Sequence, residues 1–119
     1  MAVTVSISSV VGLQVTGASL TVNGYPLPWG VSGTAAAGGS YTITSMSYSI
    51  NNGPVQQISV PPLGNYWFSL TAQDIPASGT YLLAVYAFNS NGESNATYLT
   101  LNVTLPPGPP PPPPHMPVI

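Results

Sequence analysis

Apolar residues alternate with polar ones from the start of the chain: Val3, Val5 and Ile7, then Leu13 and Val15, then Leu20 and Val22. A two-residue period marks a strand with one buried face, and Gly12 and Gly17 divide this stretch into two or three short strands. Asn23-Gly24 predicts a turn. The run Tyr25-Pro26-Leu27-Pro28-Trp29-Gly30 predicts an extended loop, because proline cannot donate to a sheet ladder. Residues 31–37 form a strand of small side chains closed by Gly38-Gly39. Residues 41–50 put Met46, Tyr48 and Ile50 on one face and Ser45, Ser47 and Ser49 on the other, and Asn51-Asn52-Gly53 turns the chain. A short strand over residues 55–60 stops at Pro61-Pro62.

Residues 66–72 direct Tyr66, Phe68, Leu70 and Ala72 inward, with Trp67, Ser69 and Thr71 outward. A strand over residues 81–88 follows Pro76-Ala77-Ser78-Gly79, and one over residues 98–103 follows the Asn91-Gly92 turn. Short strands at intervals of about 8–12 residues, with no helical period, predict an all-β antiparallel sandwich. Its core is expected from Tyr48, Ile50, Phe68, Leu70, Leu83, Val85 and Leu101. The expected division is an N-terminal strand or arm over residues 1–17, the sandwich over 18–104, and an extended proline-rich tail over 105–119.

One strand breaks the usual pattern. With Tyr81, Leu83, Val85 and Ala87 inward, Leu82, Ala84, Tyr86 and Phe88 point outward, where an exposed sheet face is normally polar. Tyr98 falls on the same side, since Leu99, Leu101 and Val103 point in. Leu82, Tyr86, Phe88 and Tyr98 are therefore expected to form an apolar patch for a protein partner, or one covered by the chain's own termini.

Charge changes the picture more than any motif. The 119 residues contain no lysine, arginine or cysteine, one histidine (His115) and two acids (Asp74, Glu93), for a formal net charge of −2. Without cations there is nothing to neutralise phosphates, so nucleic-acid binding is not expected. Without a thiol, a carboxylate pair or a base beside the acids, the expectation is no enzyme, no catalytic residue, no metal and no cofactor. A protein that carries so few charges gains little solubility from them, so the surface is expected to meet neighbours in an assembly. No apolar run is long enough for a membrane span. The start at Met1 lacks the basic region of a secretion leader. Asn95-Ala96-Thr97 and Asn102-Val103-Thr104 match the glycosylation acceptor pattern by composition alone.

The blocks Val31-Ser32-Gly33-Thr34-Ala35, Tyr48-Ser49-Ile50-Asn51-Asn52-Gly53, Trp67-Phe68, Gly79-Thr80-Tyr81 and Ala87-Phe88-Asn89-Ser90-Asn91-Gly92 resemble bacterial Ig-like domains over about residues 18–104. The resemblance implies an Ig-like fold. It also implies a surface role in tailed-phage virions, adhesins or polysaccharide-active enzymes, and a Tyr81 hydroxyl bonded back to the backbone. Members commonly carry an acid where Asn89 stands and use such acids for calcium. Asn89 is neutral and Glu93 stands alone, so no calcium site is expected.

From Pro106 the composition changes to Pro-Pro-Gly, six prolines over residues 109–114, and His115-Met116-Pro117-Val118-Ile119. Polyproline II rises about 3.1 Å per residue, so this tail reaches on the order of 35 Å. Its contact residues are expected to include Pro111, Met116, Val118 and Ile119. The expected function is a non-enzymatic capsid decoration or head-fibre module of a virion, binding other capsid subunits. The alternative is a secreted module of an adhesin, extracellular filament or polysaccharide-active enzyme at the cell surface. There Trp29, Trp67 and surface tyrosines would make weak contact with carbohydrate.

Overall fold

The computed structural model describes residues 3–59 and 64–106. Strands β1 (Thr4–Val10), β2 (Leu13–Gln14), β4 (Trp29–Ala36) and β7 (Asn65–Leu70) form one sheet in the order β2-β1-β4-β7. Strands β3 (Ser19–Asn23), β5 (Ile43–Ile50), β6 (Gln56–Ile58), β8 (Gly79–Asn89) and β9 (Ser94–Thr104) form the other in the order β3-β9-β8-β5-β6. The two sheets pack face to face, and no helix occurs among the described residues.

The alternation read from the sequence sets the facing of the central strands. On β8, Leu83, Val85 and Ala87 are fully buried, and on β9 so are Leu99 and Leu101. Tyr48 of β5 stacks on Phe68 of β7 with ring centroids 4.4 Å apart, which joins the two sheets through an aromatic pair. Of the expected core, only Ile50 is partly exposed, and it still packs against the buried cluster. Leu83→Ala is expected to cost about 2–5 kcal/mol in urea unfolding, because a fully buried leucine leaves a cavity. A loss near zero would contradict this facing.

Several expectations are corrected. The N-terminal segment is no separate arm: β1 sits between β2 and β4, and Val3, Ile7 and Val10 enter the core, so the sandwich starts before residue 18. A bulge between Ile7 and Ser9 shifts the parity of β1, which carries burial from Ile7 to Val10. Nor is the sandwich wholly antiparallel. The chain crosses sheets after β2, and β3 then runs parallel to β9, pairing Ser19 with Thr100 and Asn23 with Thr104.

The loop after Asn23-Gly24 ends sooner than expected, because Trp29 and Gly30 already belong to β4. The strand β6 is shorter than residues 55–60, with Val55 exposed, and Val60 lies outside the described residues. Likewise β7 stops at Leu70, and Ala72 is exposed in the following turn rather than inward. Leu105 is still part of the sandwich: its amide donates to the Ser78 hydroxyl at 2.9 Å, and its side chain packs on the core. Beyond Pro106, Pro111, His115, Met116, Val118 and Ile119 lie outside the described residues.

Candidate functional site

The outer face of the five-stranded sheet gathers the apolar residues singled out from the sequence. Across β8 and β9 the register pairs Leu82 with Thr100, Ala84 with Tyr98, Tyr86 with Ala96 and Phe88 with Ser94. All lie on one side, and Tyr86 stands diagonal to Tyr98, within reach of an aromatic neighbour. Tyr98 is 54% exposed and Phe88 40%, whereas Leu82 and Tyr86 are half-buried.

The next strand supplies a feature that alternation alone did not indicate. Ser47 and Ser49 of β5 point outward, opposite Tyr86 and Ala84, yet both are buried. The Tyr86 hydroxyl lies 3.3 Å from the Ser49 hydroxyl, so its ring leans across β5 and covers these serines. The result is an aromatic relief, with Tyr86 held in place, on a floor of Ser47, Ser49, Ala84 and Ala96. The readable signal was the combination of small residues on β5 with a large one at the same level of β8.

The two acids occupy different ends of β8. Asp74 accepts from the Thr71 amide at 2.9 Å and from the Tyr48 hydroxyl at 3.1 Å, which ties the β7–β8 turn to β5. It lines a cleft of about 540 Å³ with Tyr81, Asn51, Gln56 and Gln73. Tyr81 donates its hydroxyl to the Ala77 carbonyl at 2.6 Å, the backbone bond expected for it.

At the other end of β8, Asn89 is buried. Its amide nitrogen donates to the Ala37 carbonyl and to the Glu93 carboxylate, each at 2.9 Å, while its oxygen accepts from the Asn91 and Glu93 amides. An aspartate could not donate these two bonds and would repel Glu93, so a neutral amide suits this turn. Among the described residues, no three histidine, cysteine or acidic side chains come together.

Burial, with help from Asp74, pushes the Tyr48 hydroxyl up from 10.0 to about 12, and burial also raises Tyr66. The Asn89 hydrogen bond holds Glu93 below its usual 4.5. A raised folded-state value means the folded form keeps its proton, so the tyrosine contribution is complete below about pH 10 and fades as pH rises towards 12. The Glu93 contribution has the opposite sign: it is present above 4.5 and lost as pH falls below it. Thermal melts are therefore expected to stay nearly level from mild acid to neutrality and to decline above pH 10. A melting temperature that moved by tens of degrees between mild acid and neutrality would contradict this.

Trp29 corrects the carbohydrate expectation. It is fully buried, with its indole N–H donating to the Tyr25 carbonyl at 3.0 Å, so it cannot stack on a sugar. Trp67 remains 64% exposed on the outer face of the four-stranded sheet, beside Gly30. Among the described residues, no helix is long and apolar enough to cross a membrane.

No family model matches the chain, and no curated protein matches it. Solved structures of similar fold include an endo-beta-1,4-mannanase from Thermotoga petrophila, with a TM-score of 0.63 at 15% identity. The match covers 88% of this chain and 20% of the mannanase chain. The likeness is one of fold alone. This chain thus spans a fifth of the mannanase's length. The superoxide reductase (neelaredoxin) from Ignicoccus hospitalis gives a TM-score of 0.49 at 7% identity over 87% of this chain and 81% of that chain, too loose a match to add to the fold.

Proposed function

We propose that this protein is a non-enzymatic structural module of a virion, of the capsid decoration or head-fibre kind, with an Ig-like sandwich as its body. The observation that carries the reading is the outer face of β5, β8 and β9. A sheet face bearing Leu82, Tyr86, Phe88 and Tyr98, on a chain with no basic residue, favours contact with protein over nucleic acid or charged ligands. Removing the exposed rings from water would favour association, and aromatic side chains, with two rotatable angles, lose little freedom on contact. The partners are then other capsid subunits.

The test is incorporation into particles. A double substitution, Phe88→Ser with Tyr98→Ser, is expected to fold with little loss of stability, because both sites are exposed, and to fail to enter particles. A folded double variant that incorporated as fully as the parent would overturn the reading.

A second reading is a secreted module of a polysaccharide-active enzyme, adhesin or extracellular filament. The mannanase likeness and the exposed Trp67 ring favour it. It is tested by sedimentation with insoluble β-1,4-mannan: this reading expects binding that Trp67→Ala abolishes, whereas the virion reading expects none.

A further inference from the structure

We infer that the outer face of β5, β8 and β9 receives the proline segment 109–114 from a second copy of this chain. This deepens the reading of that face as the contact surface and rests on it. Proline-rich segments dock on aromatic-lined surfaces because the polyproline II helix is already extended and loses little entropy on binding. The face has the matching form. Phe88 and Tyr86 lie two residues apart on β8, Tyr98 stands diagonal to Tyr86 on β9, and the floor between them is small. The Tyr86 ring is held by Ser49, so part of the surface is set before anything binds.

The dimensions agree. From Leu82 to Phe88 is six steps along the strand, about 20 Å. Six prolines in polyproline II make five steps, about 16 Å, which covers most of that length. Residues 107–119 follow Pro106, enough chain to bring the segment to a neighbour and to place Met116, Val118 and Ile119 beyond it.

Direction favours a second copy over the chain's own face. Strand β9 ends at Thr104, one residue past Val103, the partner of Gly79, whereas Phe88 pairs with Ser94 at its opposite end. A segment that docked on its own rings would have to reverse direction within Pro107 and Gly108, the two residues between Pro106 and residue 109. With a net charge of −2 and no basic residue, two copies repel each other little. The contact is head-to-tail, with one copy's tail on the next copy's face, so it propagates into a ring or an open row.

The test uses three full-length proteins in sedimentation velocity over a concentration series: the parent, Tyr98→Ser, and a tail variant with Pro110, Pro111, Pro112 and Pro113 each replaced by serine. The parent is expected to gain mass with concentration, and each variant to associate about tenfold more weakly or worse. Mixing the two variants is expected to restore association as far as a one-to-one pair, since one supplies an intact tail and the other an intact face. Phe88→Ser replaces Tyr98→Ser if the latter does not fold.

A parent that stays monomeric would overturn the inference, as would variants that associate like the parent or a mixture that stays monomeric. If the parent does not self-associate but the Phe88 and Tyr98 double variant still fails to enter particles, this occupant is wrong and the contact surface stands. If that variant incorporates normally, the surface itself is wrong.

Discussion

Gly33→Ala is expected to destabilise the sandwich by about 3–5 kcal/mol, or to prevent folding, because the site has no room for one more carbon. Gly33 lies on β4 between Ile7 of β1 and Tyr66 of β7, beside the β1 bulge. A Cβ built there would overlap both the Ser6 carbonyl oxygen and the Tyr66 hydroxyl. Those two groups are partners: the Tyr66 hydroxyl donates to the Ser6 carbonyl at 2.7 Å, with the tyrosine almost fully buried. The methyl group would thus push strands apart and strip a buried hydroxyl of its acceptor. Gly30→Ala provides the contrast on the same strand. Its Cβ meets only the Trp67 indole, at 2.8 Å, and that exposed ring can swing away, so the cost is expected to be about 1 kcal/mol or less. Urea unfolding of the two variants checks the difference. A Gly33→Ala protein as stable as Gly30→Ala would contradict the close approach of β1, β4 and β7.

Trp29→Ala is expected to cost about 3–5 kcal/mol, and Trp67→Ala far less. Both are tryptophans of the four-stranded sheet, but one is fully buried and the other is 64% exposed. Truncating Trp29 removes a large apolar volume from beside the core and leaves the Tyr25 carbonyl without its indole donor. It also releases the entry of β4 from the preceding proline loop. Unfolding monitored by circular dichroism, which does not depend on the lost indole, measures both variants. Equal, small losses would show that Trp29 is not the interior residue described here.

The two-sheet architecture and the facing of its central strands were legible because a period of two is a local property. Residues 81–88 and 98–103 show it with few exceptions, and the structure buries Leu83, Val85, Leu99 and Leu101 accordingly. The same alternation identified Leu82, Tyr86, Phe88 and Tyr98 as one face. What escaped the sequence depends on contacts distant along the chain. The parallel pairing of β3 with β9 is set by a crossing between sheets, which alternation cannot express. Burial of Trp29 needs β7 alongside it, pairing Trp29 with Leu70, whereas the local Pro-Leu-Pro signal reads as loop. The buried serines of β5 depend on a tyrosine from β8, 37 positions away. At Asn89 the sequence displays only a missing charge, while its four bonds, including one to the Ala37 carbonyl, explain why an amide stands there.

Hydroxyl-radical footprinting of the chain within intact particles, compared with the purified chain, tests the central claim most directly. The account predicts that Tyr86, Phe88 and Tyr98 lose most of their reactivity on assembly, while Trp67, on the outer face of the opposite sheet, keeps its own. Unchanged reactivity at Tyr98 and Phe88, or protection confined to Trp67, would show that this face is not the contact surface.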